Sequence, residues 1–212
     1  NQIGWDADIT ALRCINLMRN WKFLNKAPDI NVKNNLKFLW RQYKFLVLIF
    51  RIYPRGQKKV KIIFSIFLLT LFFDVKTRIK KRILKKLCQL LKEIVDVKGQ
   101  ISGRSPEDFL DYFIITLDVL SINEQKNLLS KNDHAWLQQL KSTMVPVLRG
   151  LRLGDGSLTR CHGGDAGIIG VIDNYLVNSN VKAPTGFTNI LGYERINAGR
   201  LILIVDCAKP YQ

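Results

Sequence analysis

Residues 151 to 165, Leu-Arg-Leu-Gly-Asp-Gly-Ser-Leu-Thr-Arg-Cys-His-Gly-Gly-Asp, divide this chain into two kinds of sequence. Before them, apolar residues recur at helical spacing along nearly the whole length. After them comes a short tail that alternates like a strand. The order is therefore helices first and sheet second. The Gly154-Asp155-Gly156 turn is followed closely by His162 and the Gly163-Gly164 pair. Such a sequence puts polar side chains on exposed, tightly turning backbone, which makes this loop the first place to look for a site.

The helical part divides at its turn residues. Asp6 to Asn25 carries Ile9, Leu12, Ile15, Met18 and Trp21 at helical steps, with Asp6 or Asp8 able to cap the start and Ala27-Pro28-Asp29 as the stop. Asn31 to Tyr53 places Leu36, Leu39, Trp40, Tyr43, Leu46, Val47 and Phe50 on one side and ends at Pro54-Arg55-Gly56. Gln57 to Phe73 holds the most apolar run, Ile62 to Phe73. A run of that length spans only ~18 Å as helix, well short of the ~20 residues a bilayer core requires, so it reads as a buried helix. Val75 to Val97 is basic and amphipathic, a pattern open to a membrane surface but equally what packing on a helical neighbour needs. Ser105-Pro106-Glu107-Asp108 is a helix start, with Ser105 as N-cap, proline at the first helical position and acids in the first turn; the helix is expected to run to about Leu120. Asn132 or Asp133 opens another that carries Trp136, Leu137, Leu140, Met144 and Leu148 to Gly150, with Pro146 bending its end. Asp165 to Asn178 is a brief helix or an irregular loop. Gly192 to Ala198, a turn at Gly199 and the apolar run Leu201 to Val205 make a hairpin. Two domains are expected, a helical one over 1–150 and a loop with the start of a sheet domain over 151–212.

The net charge of +16 is concentrated. Residues 37 to 104 hold 18 Lys and Arg against Asp74, Glu93 and Asp96, a local net of +15. Such a block suits a polyanion, whether acidic polysaccharide, nucleic acid or anionic membrane, and it equally suits a solvent-facing lysine surface. No glycine-rich, aromatic or helix-turn-helix reading element accompanies it at the spacing nucleic-acid recognition uses. Cys14, Cys88, Cys161 and Cys207 are widely spaced, with neither a disulfide framework nor a zinc pattern. The sequence opens at Asn1, so any export signal lies outside it, and its abrupt apolar end leads us to expect part of something longer.

Several words then fall in a recognisable order: Gly-Arg-Ser-Pro at 103 to 106, Met-Val-Pro-Val-Leu-Arg at 144 to 149, Gly-Asp-Gly-Ser-Leu at 154 to 158, His-Gly-Gly-Asp at 162 to 165, and Gly-Tyr-Glu-Arg-Ile-Asn-Ala-Gly-Arg at 192 to 200 leading into Leu-Ile-Leu-Ile-Val-Asp. In this the chain resembles the bacterial branch of the heparinase II/III-like family over essentially its whole length. The resemblance implies an incomplete α/α toroid of helical hairpins followed by the first strands of a β-sandwich. It implies a carbon–oxygen lyase that acts by β-elimination on a uronate-containing acidic polysaccharide, needs no cofactor or metal, and works in the periplasm or cell envelope. In such a reaction one group neutralises the uronate carboxylate, a base takes the C5 proton and an acid assists the leaving oxygen. Nucleic acid and membrane are not partners the resemblance implies.

Residue by residue, the correspondence is partial. Where the family has a Ser-Pro-x-Tyr-His word, this chain has Ser105-Pro106-Glu107-Asp108-Phe109, so neither the tyrosine nor the histidine is present. Tyr112, one turn after Asp108, either substitutes as the catalytic acid or is a core tyrosine. The Asn-His word of the family has no clear match in 31 to 53. His162 stands where the bacterial branch often has Asn, either as a carboxylate ligand or proton shuttle or as a plain loop histidine. Arg104 before the Ser105 cap either grips an anionic sugar or solvates its loop. Asp155 is a turn-former or a substrate ligand. Tyr193 and Arg195 share a strand face and line a cleft or flank a sheet edge. His134 reads as a surface histidine beside Asp133, and Asp206 as a turn or cap. The missing Tyr-His word leaves a second reading, a non-catalytic glycan-binding or envelope-polysaccharide relative. A nucleic-acid-binding helical protein is the third.

Overall fold

The computed structural model describes residues 5–24, 26, 32–54, 56–96, 98–101, 103–182 and 190–208. Among them are eight helices and one two-stranded antiparallel sheet, in the order helices then sheet. The chain forms two compact units, Asn1–Leu91 and Lys92–Gln212. The division expected at 150/151 thus falls inside the second unit. The reason lies in the chain after Gly150, which folds back on the segment around Pro106: the backbone N–H of Asp165 donates to Glu107 Oε2 at 3.0 Å, and the Tyr193 hydroxyl donates to the Arg104 carbonyl at 3.0 Å.

In the first unit, α1 (Ala7–Arg19) starts at Asp6, whose carboxylate accepts from the backbone N–H of Asp8 at 2.9 Å and of Ile9 at 3.3 Å. This satisfies two donors that the first helical turn leaves open. A short α2 (Trp21–Leu24) follows, splitting what the sequence reads as one helix at Asn20, whose side chain donates to the Asn16 carbonyl. The expected stop at Ala27 to Asp29 lies outside the described residues. Helices α3 (Val32–Ile52) and α4 (Gln57–Phe72) pack with α1 around a core of Ala7, Ala11, Cys14, Leu39, Leu46, Ile62, Ile66 and Leu69. The buried line on α3 is narrower than its apolar side: Leu39, Gln42 and Leu46 are enclosed, whereas Leu36 and Trp40 remain exposed. Buried Gln42 is hydrogen-bonded: its Oε1 accepts from Arg13 Nη1 at 3.5 Å and from Cys14 Sγ at 3.7 Å. Trp21, Phe72, Phe73, Trp40 and Tyr43 form a chain of ring contacts with centroids 4.9 to 6.2 Å apart. The apolar run is the buried helix the sequence predicts, with Ile62, Ile63, Phe64, Phe67 and Leu69 at most 2% exposed. No helix among the described residues is long and apolar enough to cross a membrane.

Helix α5 (Thr77–Ile94) carries the basic run. Leu84, Leu87, Leu90 and Leu91 are buried, and Lys81, Arg82, Lys85 and Lys86 stand in solvent. In the second unit, α6 (Pro106–Lys126) begins as read, Ser105 Oγ accepting from the backbone N–H of Asp108 at 3.3 Å. It runs one and a half turns past Leu120 and closes on Asn127 in the left-handed region, φ 48°. Helix α7 (Lys131–Gly150) starts a little earlier than expected because Ser130, not Asn132 or Asp133, is the cap; its Oγ accepts from the backbone N–H of Asp133 at 3.1 Å. Pro146 lies inside this helix. After the loop come α8 (Ile169–Asn178), then the hairpin of β1 (Tyr193–Ala198) and β2 (Leu201–Asp206). The hairpin register pairs Tyr193 with Asp206, Arg195 with Ile204 and Ile196 with Leu203. Tyr193, Arg195 and Asp206 therefore share one face. Ile196, Leu201, Leu203 and Val205 lie exposed on the other.

Candidate functional site

The loop that divides the sequence brings its histidine to the end of the hairpin. Ser105 fixes the start of α6, and Gly164 lies so close to it that a Cβ there would meet Ser105 Oγ and Glu107 Cβ at 3.1 Å each. With Asp165 held by Glu107, this anchors the segment 161 to 165 beside Arg104. Both Arg104 and His162 adopt positive φ, 53° and 52°. That conformation costs an ordinary L-residue of order 1 kcal/mol and persists where surrounding contacts over-determine it.

Asp206 is the junction. Its Oδ1 accepts from Arg104 Nη1 at 2.6 Å, and its Oδ2 lies 3.0 Å from His162 Nε2. The register places Tyr193 directly opposite on β1, with its ring centroid 6.1 Å from that of His162. The four groups differ in access to solvent. The Arg104 side chain is only 10% exposed, whereas those of His162 and Asp206 are 32% and 38% exposed. Partial burial raises the Asp206 carboxyl, but the N–H of Ala208, His162 and the Arg104 guanidinium outweigh it and hold the group below the usual carboxylate range. Burial drives the Tyr193 phenol well above its ordinary value, reinforced by Cys161 and Asp206 and opposed by Arg104. Tyr193 therefore stays protonated, as a donor to the Arg104 carbonyl.

This geometry suits proton transfer. A carboxylate at one imidazole nitrogen fixes the ring and its tautomer, leaving the opposite nitrogen to act on a ligand. Arg160, 72% exposed at its side chain, lies two residues before His162 and 3.6 Å from Asp165, where it can meet an anion. Among the described residues there is no cluster of histidine, cysteine and acidic side chains able to hold a metal ion.

Of the residues singled out from sequence, Arg104, His162 and Tyr193 come together. Arg104 does so largely buried and bound to Asp206, so it serves to position that carboxylate. Tyr112 is fully buried within α6, placed in the core. Asp155 accepts from the backbone N–H of Ser157 at 2.9 Å and from its hydroxyl at 2.7 Å, bonds that also pull its carboxyl below the usual range; it shapes the turn. Arg195 donates through Nη1 to the carbonyls of Gly150, at 2.9 Å, and of Arg152, tying β1 to the end of α7. His134 is partly exposed near Gln138. Sequence reasoning read Asp206 as a turn or cap and gave Cys161 no part in a site. The one signal for Asp206 was a single acid closing an otherwise apolar strand, which a turn explains equally well. No protein-family model, curated protein or solved structure is significantly similar to this chain.

Proposed function

We propose that the protein is a heparinase II/III-like polysaccharide lyase that cleaves uronate-containing acidic glycans by β-elimination. The observation that carries this reading is the His162–Asp206–Arg104 arrangement at a loop between helices and hairpin. His162 takes the C5 proton, its ring held by Asp206; the C5–H electron pair forms the C4=C5 double bond as the C4–O4 bond breaks, and the leaving oxygen takes a proton from solvent water. Arg104 positions Asp206 and limits how far its charge can move. Arg160 meets the uronate carboxylate as negative charge develops in the transition state. The basic surface of α5 favours association with a polyanion.

The fold belonging to this proposal is an incomplete α/α toroid leading into the first strands of a β-sandwich. The exposed apolar face made by Ile196, Leu201, Leu203 and Val205 supports the second part, since it is what a packed sheet would cover. Two observations favour the second reading, a non-catalytic glycan-binding relative: Asp206 already engages Arg104 and His162, and Tyr112 is enclosed.

The test is elimination. Incubation with a panel of uronate glycans is expected to release products carrying a new carbon–carbon double bond that absorbs in the ultraviolet. His162→Ala is expected to abolish turnover while retaining glycan binding. No product across the panel, with saturable binding indifferent to His162→Ala, would establish the binding relative instead.

A further inference from the structure

The second unit contains another gathering of cations, in a cavity of about 520 Å3 whose lining includes none of Arg104, Cys161, His162, Tyr193 or Asp206. Arg149 in the last turn of α7, Arg152 just past it and Arg195 from β1 line it, with Asp173 of α8 as the one acidic group among the described residues and Gly154 and Gly156 in its wall. Three guanidiniums against one carboxylate leave the cavity with an excess of positive charge. Its volume is in the range small organic ligands occupy.

Backbone carbonyls orient the guanidiniums. Arg152 Nε donates to the Gly156 carbonyl at 2.9 Å, Arg149 Nη2 to the Val181 carbonyl at 3.2 Å, and Arg195 Nη1 to the carbonyls of Gly150 and Arg152. The turn is shaped around Arg152: at Gly156, φ 88°, a Cβ would lie 2.6 Å from Arg152 Nη2. Gathering like charges in one cavity is unfavourable unless an anion enters, and orienting them beforehand reduces the ordering cost of binding one. Asp173 Oδ1 lies 2.7 Å from Arg152 Nη2, and its side chain is 52% exposed, so it can leave without breaking into the core.

We propose that this cavity binds a small organic anion through a carboxylate, sulfate or phosphate group, and that this group displaces Asp173 from Arg152. The fork of N–H donors on a guanidinium fits two oxygens of any of the three. Asp173 is then an internal competitor that occupies Arg152 until the ligand arrives. The proposal is independent of the lyase reading, since it uses other residues and no reaction.

Isothermal titration of the full chain with citrate, sulfate and inorganic phosphate, at ionic strength fixed with chloride, tests it. Saturable binding of at least one is expected, and the preference among the three separates carboxylate from sulfate and phosphate ligands. Asp173→Asn, which removes the competitor, is expected to tighten binding about tenfold, and Arg152→Gln to weaken it by at least about tenfold, the effect of one charge-assisted hydrogen bond. Absence of saturable binding to both the unaltered protein and Asp173→Asn overturns the proposal. So does binding that folded Arg152→Gln leaves unchanged. Should Arg152→Gln not fold, the Asp173→Asn arm decides, and unchanged or weaker affinity there overturns the proposal.

Discussion

His162 Nε2 and Asp206 Oδ2 meet at 3.0 Å across 44 residues of sequence, and Arg104 Nη1 holds the other oxygen of the same carboxylate at 2.6 Å. Because the Asp206 carboxyl sits below its ordinary range in the folded protein, its contribution to stability is fully present above the unfolded value of ~3.9. That contribution fades as pH falls through the folded value. Thermal midpoints measured from neutral pH down into this acid range are expected to fall less steeply for Asp206→Asn than for the unaltered protein. Parallel curves would show that the carboxylate's contacts carry no stability.

The two tyrosines are expected to separate. Tyr193 is 1% exposed and its hydroxyl donates to the Arg104 carbonyl. Tyr193→Phe leaves that buried carbonyl short of a donor and is expected to cost about 1–3 kcal/mol, read by urea denaturation. On the proposed lyase reading it also loosens the left-handed Arg104 and is expected to slow glycan turnover. Tyr112→Phe keeps the enclosed ring and is expected to leave turnover unchanged. Loss of turnover in folded Tyr112→Phe with no loss in Tyr193→Phe would return the acid role to Tyr112.

Cys14 should behave as a core group and Cys207 as a surface one. Burial pushes the Cys14 thiol from 9.0 up to about 11, partly offset by Ser65 and Arg13. A folded value raised in this way means stability is fully present below the ordinary thiol range and is lost as pH rises towards 11. Cys14→Ser is not a clean probe, since it changes the bond to Gln42. Labelling is cleaner: iodoacetamide at pH near the ordinary thiol value, ~8.5, is expected to modify exposed Cys207 in the native protein and Cys14 only after denaturation. Native labelling of Cys14 at the rate of Cys207 would contradict its burial.

The helices were legible because their signals are local. Ser105-Pro106-Glu107 names its own helix start, and Ile62 to Phe73 buries what it must. The split at Asn20 and the cap at Ser130 were not legible, since each depends on one side-chain bond competing among several polar neighbours. At the candidate site, glycines and a histidine in one loop marked the segment that the fold brings to Asp206. Asp206 did not declare itself, because what gives it a role is the hairpin register that sets it opposite Tyr193 and the return of the chain to Arg104. For Arg195 the strand face was predictable, whereas the Gly150 and Arg152 carbonyls it binds were not. The division between units moved from 150/151 to 91/92 because contacts from 165 and 193 back to 104 and 107 bind the loop and hairpin to α6.

That anchoring can be measured as a coupling. Ser105→Ala removes the oxygen that accepts from the Asp108 N–H and is expected to cost about 1 kcal/mol, the usual effect of losing a helix cap. Gly164→Ala puts a Cβ 3.1 Å from that same Oγ and from Glu107 Cβ, tighter than packed atoms accept. Moving the loop away is expected to cost about 1–3 kcal/mol, as overpacking does. In the double variant the oxygen is gone, so the new methyl meets one obstacle fewer. The pair is therefore expected to cost less than the sum of the singles by at least about 0.5 kcal/mol, beyond the scatter seen for independent sites. Urea denaturation of all four proteins gives the cycle, and strict additivity would mean that the His162 loop and the start of α6 are not held against each other.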